Sequence, residues 1–207
     1  RAKDLLDLRA NGWSADGKQL LFSEVSPGMS PGIQCAIGQT PIARPADATV
    51  LLKNDSCNVA AAVSPNGKWI AYASNAAGRP EVYVERYPEL GNRQPISTSG
   101  LAPLWSPDGS ELFFSSLDNR QMLAVAMQSG TTLVAGRPQV LFDVALPVGR
   151  GGGGLYDVGS DGRFLIIRSG QEGIAGTPTN LIFVQNWLEE LKRLVPAEDA
   201  FLTSTAP

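Results

Sequence analysis

Histidine is absent from the 207 residues, and cysteine occurs only twice. The first absence removes the usual general base of Ser-His-Asp and Cys-His catalysis and the commonest nitrogen ligand for zinc. Most hydrolase and zinc-site readings fall with it. No apolar stretch approaches the roughly 18 to 20 residues that a spanning helix needs, so no membrane span is expected in the chain. The segment 1–9 has neither an apolar leader core nor an initiating Met, and the start at Arg1 is taken as that of a piece of something longer. Charge of one sign is also lacking. Seventeen basic and twenty acidic side chains leave a net charge of −3, with Lys and Arg scattered singly, which disfavours a nucleic-acid reader. The separation of Cys35 and Cys57 is compatible with a bridge, but has none of the spacings of a metal site or a redox Cys-x-x-Cys pair. Two ordinary semi-buried thiols are the favoured expectation. What the chain does have is 43% apolar residues, enough for a sizeable core, together with 22 Gly and 15 Pro. That punctuation is too dense for a helical bundle and indicates an all-β chain.

One short phrase recurs four times: Trp13-Ser-Ala-Asp-Gly17, Val63-Ser-Pro-Asn-Gly67, Trp105-Ser-Pro-Asp-Gly109 and Val158-Gly-Ser-Asp-Gly162. The intervals between its glycines are 50, 42 and 53 residues, close to the ~40 to 50 residues of a four-stranded propeller blade. Ser, Pro, Asx and Gly in that order suit a type I turn whose last residue turns left-handed. Asp16, Gly17, Asn66, Gly67, Asp108, Gly109, Asp161 and Gly162 are therefore read as structural turn residues. Three apolar side chains follow each glycine: Leu20 to Phe22, Ile70 to Tyr72, Leu112 to Phe114 and Leu165 to Ile167. A strand with one wet face would alternate, so a continuous run predicts burial on both faces, as in stacked blades.

Third strands are predicted over 33–37, 81–86, 122–127 and 181–185, and outer strands over 49–52, 94–97 and 139–142. After Asn186 the spacing of Trp187, Leu188, Leu191, Leu194 and Val195 is helical, ended by Pro196. The blades span about 10–53, 59–98, 102–143 and 155–186, with a helix over 187–195. The strand-like stretch Asp4 to Leu8 is left over. It either closes a ring with the fourth repeat or is the outer strand of a preceding blade, the second being favoured.

These residues resemble the TolB-type, WD40-like propeller repeats of bacteria, through Trp105-Ser-Pro-Asp-Gly109 followed by Glu111-Leu-Phe-Phe-Ser115. The run Ser64 to Asn75, then Gly78-Arg-Pro-Glu-Val-Tyr-Val84, and later Tyr156-Asp-Val158 with Asp161 to Leu165, is similar to the closing blades of propellers attached to bacterial Ser/Thr protein kinases and related sensory regulators. The resemblance covers roughly 59–196. It implies a noncatalytic, usually six-bladed propeller that supplies a binding surface at the C-terminal side of an output domain, with a lean toward the extracytoplasmic face. The four repeats found here fall short of six. An incomplete ring would leave apolar sheet faces uncovered and favour a homodimer.

No cofactor or metal is expected. The turn carboxylates lack a second acidic residue at calcium-loop spacing, Gly151 to Gly154 lacks the Lys-Ser or Lys-Thr of a phosphate cradle, and no Gly-x-Ser-x-Gly elbow accompanies Ser74, Ser115 or Ser169. Trp13 and Trp105 are expected to be buried between blades, while Trp69 could face either way. Loops leading into the innermost strands, at 54–58, 99–103 and 149–156, are the candidate sites for partner contact, through Asn54, Asp55, Asn58, Ser99, Leu101, Gly154 and Tyr156. The expected function is a noncatalytic sensing or protein-interaction module binding a protein, peptide or small molecule. An envelope scaffold resembling TolB and a propeller-type lyase or hydrolase are the rivals.

Overall fold

The computed structural model describes residues 7–25, 35–147 and 155–167. All lie in one compact unit within Arg1–Ser169. Asp4 to Leu6, the strand over 181–185, the helix over 187–195 with Trp187, Ser169 and the loop Gly151 to Gly154 fall outside the described residues.

Fifteen strands and one 3₁₀ turn, Pro45–Asp47, make up the described chain. The first blade is β1 (Asp7–Trp13), β2 (Gln19–Val25), β3 (Cys35–Pro41) and β4 (Thr49–Leu52), antiparallel in that order. The second is β5 (Asn58–Val63), β6 (Trp69–Ser74), β7 (Glu81–Arg86) and β8 (Gln94–Pro95). The third is β9 (Leu101–Trp105), β10 (Glu111–Ser115) and β11 (Gln121–Ser129), whose nine residues pair with both β12 (Leu133–Ala135) and β13 (Gln139–Asp143). Of the fourth, β14 (Tyr156–Val158) and β15 (Phe164–Ile166) are described.

The recurring turn explains why each blade starts alike. Ser14, Ser64 and Ser106 donate their hydroxyls to Oδ1 of Asp16, Asn66 and Asp108 at 2.6, 2.8 and 2.7 Å, and that oxygen also accepts the N–H of Lys18, Lys68 and Ser110. The serine oxygen accepts the N–H of Gln19, Trp69 or Glu111 at the head of the next strand. Gly17, Gly67, Gly109 and Gly162 have φ of 68°, 70°, 74° and 76°, a region that costs a residue with a Cβ about 1–2 kcal/mol. The same device stands unforeseen at the other end of β10, where Ser116 donates to Asp118 and accepts from Gln121.

Side chains then alternate between neighbouring blades. Leu21 and Ile37 of the first blade pack against Ile70, Tyr72 and Tyr83 of the second. Ala71, Val82 and Val84 on the other face of that blade meet Leu112, Phe114 and Val125 of the third. Phe113 and Met122 meet Tyr156 and, across its rim, Phe164 and Ile166. All six residues of β6 are buried, the condition its apolar run predicts. Each fully buried Leu, Ile or Phe contributes about 1.5–3 kcal/mol.

Several expectations are corrected. In the fourth repeat the apolar triplet is Phe164-Leu165-Ile166, one residue earlier than the glycine count places it. Ser14, Ser64 and Ser106 close their turns on the fifth residue onward, whereas Gly159 donates to the carbonyl of Arg163, the fourth. A one-residue change in register moves every side chain to the other face, so Leu165 and Ile167 are exposed and Phe164 and Ile166 pack inward. Asp7 and Leu8 belong to β1 and pair with Val25 and Glu24 of their own blade, neither closing a ring nor flanking another blade. The third strand of the first blade continues to Pro41, beyond the expected end at Ile37, with Val25 opposite Cys35 and Gln19 opposite Pro41; Ile33 and Gln34 fall outside the described residues. Beyond Pro95, which has no N–H for the ladder, Ile96 and Ser97 both turn to the carbonyl of Val82. Cys35 and Cys57 form a disulfide between the first two blades. Trp69 faces the third blade, with the Arg86 guanidinium 5.8 Å from its ring centroid.

Candidate functional site

The innermost strands β1, β5, β9 and β14 converge on one cavity of about 540 Å³. Its wall is made less by loops than by the strands themselves, at the points where three of them are irregular. Register shifts fall between Ala10 and Gly12, between Val59 and Ala62, and opposite Phe113 and Ser115. At equivalent places in two blades, Ala60 and Ala102 have φ of 58° and 50°. A non-glycine residue held there costs about 1–3 kcal/mol and persists only where its surroundings over-determine it.

Those surroundings are hydrogen bonds from one blade to the next. The N–H of Ala60 donates to Ser23 Oγ at 3.1 Å, and Ser23 donates to Asn11 Oδ1 at 2.6 Å. The indole Nε1 of Trp105 donates to the Ala62 carbonyl at 3.1 Å. The Tyr156 hydroxyl donates to the Ala102 carbonyl at 2.5 Å. Burial pushes that hydroxyl far above the usual phenol range, so it remains a donor at any physiological pH. Each innermost strand is thus tied to the one before it, and the cavity wall is stiff.

The wall is mostly apolar. Trp13, Leu104 and Tyr156 line it with Ala60 to Ala62, and Leu165 and Ile167 border it from β15 and the residue after it. Trp105 is buried, as expected, but Trp13, at the same position in the first blade, is 48% exposed. Trp105 has the second blade to pack on, whereas Trp13 faces away from it into the cavity. Among the described residues Asp157 is the one carboxylate on the wall, and it is exposed.

Among the loop residues expected to make contact, Tyr156 lines the cavity. Asn54, Asp55, Ser99 and Leu101 lie outside it, and Gly154 is outside the described residues. Asn58 is fully buried. Its Nδ2 donates to Asn54 Oδ1 at 2.9 Å and to the carbonyls of Ser56 and Cys35 at 3.2 and 3.4 Å, so it fastens the loop 54–58 down. Of the expected loop 99–103, Ala102 and Pro103 reach the cavity, while Ala60 to Ala62 on β5 and Leu104 went unforeseen; the small-residue run Ala60-Ala-Ala62, which leaves room for a bulge, is their mark in the sequence.

The turn carboxylates sit on the rim of the blades, not in the cavity. The hydroxyl of Ser106, then the amide and hydroxyl of Ser110, hold the Asp108 carboxyl down at about 2. Hydrogen bonds from Ser14, Ser116 and the Arg163 backbone lower Asp16, Asp118 and Asp161 in the same direction. Among the described residues no group of three or more His, Cys, Asp or Glu could hold a metal ion.

No family model matches the chain, and no curated protein does. Solved structures do. TolB from Acinetobacter baumannii superposes with a TM-score of 0.55 at 17% identity, over 81% of this chain and 39% of its own. A puromycin-hydrolyzing peptidase from Mycobacterium tuberculosis superposes with a TM-score of 0.56 at 23% identity, over 78% of this chain and 28% of its own. The chain therefore spans well under half the length of either, and the likeness concerns fold. A shared fold at this identity does not decide catalysis. The stacked antiparallel sheets of this chain are blades of a TolB-like β-propeller.

Proposed function

We propose that the chain is a noncatalytic binding module whose axial cavity takes an extended segment of a protein partner. The observation that carries this reading is the stiff, mainly apolar wall between the innermost strands, with Trp13 and Leu165 exposed on it. Large apolar side chains left open beside backbone polar groups suit a peptide, which offers both apolar side chains and amides. Catalysis is a poor use of the same wall. The sequence has no histidine, and the described residues of the lining offer one carboxylate and no serine or cysteine nucleophile. The loop residues Asn54, Asp55, Ser99 and Leu101 would then contact the flanks of the segment.

The sequence resemblance to kinase-attached propellers supports placing this module at the C-terminal side of a bacterial signalling protein such as a Ser/Thr kinase. The Cys35–Cys57 bridge supports work outside the cytoplasm, where disulfides persist. Fold similarity to TolB keeps an envelope-scaffold role as the second reading. A kinase domain and membrane span encoded upstream of Arg1 would favour the first, and a leader followed directly by repeats the second.

Selection from a displayed peptide library is the test. Enriched peptides are expected to lose at least about ten-fold in affinity on Leu165→Glu and on Trp13→Ala, both at exposed positions whose replacement leaves the core intact. Peptides that bind both variants as well as the parent, or turnover of ester or peptide substrates by the parent, would overturn the proposal.

A further inference from the structure

The seam between the second and third blades opens beside the Ser64 to Gly67 turn into a cleft that shares no described lining residue with the axial cavity. Its volume is about 430 Å³, within the range that takes small ligands. One wall is the turn that follows β7, and the other is the tip of the β11–β12 hairpin. Trp69, at the head of β6, lies between them. Both walls are fastened. The Arg86 N–H donates to the Gly91 carbonyl at 3.3 Å and closes the first turn, the Tyr87 N–H donates to the Lys68 carbonyl at 2.9 Å, and the Tyr87 hydroxyl reaches Gln39 of the first blade. Across the cleft the Gly130 N–H donates to the Thr132 carbonyl at 3.1 Å, and Leu133 is buried in the core that holds Trp69.

Arg86 spans the gap. Its Nη2 donates to the Thr131 carbonyl at 3.0 Å, and its guanidinium lies 5.8 Å from the Trp69 ring centroid. A carbonyl and an indole thus hold an exposed guanidinium in place, so less side-chain freedom remains to be lost when it meets a ligand. The charges are unequal. Among the described lining residues two cations, Arg86 and Lys68, stand against one carboxylate, Glu89, and among the described residues none of the three is in an ion pair. One guanidinium N–H is spent on Thr131, which leaves the others for a planar anion. A carboxylate matches that fork and cancels the surplus charge, whereas a dianion would also meet Glu89 as a like charge.

We propose that this cleft binds a small monocarboxylate, with Arg86 as the principal partner, Lys68 adding positive field, and Glu89 selecting against doubly charged anions. The site straddles two blades that are covered on both faces, and it stands whether or not the axial cavity takes a peptide.

Titration of the folded protein with benzoate, followed by amide NMR shifts, tests this against two probes of similar outline: neutral benzamide, and phenylphosphonate at a pH where it is doubly ionised. Benzoate is expected to move the amides of Arg86, Tyr87, Glu89, Gly130 and Thr131 saturably, with a Kd on the order of 1 mM. Benzamide and phenylphosphonate should each bind about five-fold or more weakly. Arg86→Gln should weaken benzoate by about ten-fold, and Lys68→Gln by about two- to three-fold. Glu89→Gln should raise phenylphosphonate to the level of benzoate. Benzamide binding as tightly as benzoate, phenylphosphonate preferred by the parent, shifts centred on Ala60 to Ala62 instead, or no saturable shift would each overturn the proposal. Arg86→Gln also removes the tie to Thr131; should it unfold the hairpin, the three probes on the parent and on Glu89→Gln decide alone.

Discussion

The second and third blades are covered on both faces, while the first and fourth each present one face that no described blade covers. The contrast is sharpest at equivalent positions. Phe114 in β10 is wholly buried between two sheets, and Phe22, on the face of the first blade turned away from the second, is only partly so. Trp105 is buried and Trp13 is not. Ile166 packs inward, and its neighbour Leu165 is 72% exposed. The same local sequence therefore has two energetic meanings. An apolar triplet after an Asx-Gly turn marks a strand in every repeat, but it marks a two-sided core only where both neighbours are stacked against it.

The largest expected effect sharpens that difference directly. Phe114→Ala should lose about 3–5 kcal/mol in urea unfolding, and Phe22→Ala less than half as much. Equal losses would show that the first blade is covered on both sides in solution. Next comes the register of the fourth repeat. Ile166→Asp should cost about 2 kcal/mol, because it sets a carboxylate against Phe113 and Met122, while Leu165→Asp should stay within about 0.5 kcal/mol of the parent. The reverse order would restore the phase that the glycine count suggests. The smallest effect compares two turns. Asp108 is held at about 2, below the ordinary carboxylate value, so its contribution to stability is complete above about pH 4 and is lost as the pH falls through about 2. The turn of the second blade, with Asn66, has no such dependence. Asp108→Asn should move the acid-unfolding midpoint to lower pH, and Asn66→Asp should add an acid-sensitive step; coincident acid curves for parent and both variants would contradict this.

Much of this architecture was legible in the chain because its signals are local. A turn that needs Ser, Asx and a left-handed Gly writes itself into five residues, and β6, β7, β10 and β4 lie where those phrases and apolar runs put them. The rest depends on partners distant in sequence. Nothing in Val158-Gly-Ser-Asp-Gly162 announces that its turn closes one residue sooner; the loss of the serine hydroxyl, which elsewhere holds the fifth residue, is the only hint. Leu133–Ala135 forms a strand because β11 overruns its blade by three residues that need pairing. The part of the cavity lining on β5 was missed for a related reason. Loops were expected to carry the contacts, yet the bulged alanines of β5 and β9 bring the strands themselves to the cavity, and alanine carries no chemical signature. The two cysteines were legible as residues but not as a bridge, since only the stacking of β3 beside β5 brings them together.

The ties between innermost strands have a consequence for how such a molecule arises. In two of them a side chain, Trp105 or Tyr156, reaches a main-chain carbonyl, and every residue of every strand possesses that acceptor. A newly copied blade need not meet a matched partner side chain on its neighbour; one aromatic donor of its own suffices. Lineages can therefore lengthen or shorten such an array by duplication without co-adapting each junction, and the sequence at each seam is free to drift.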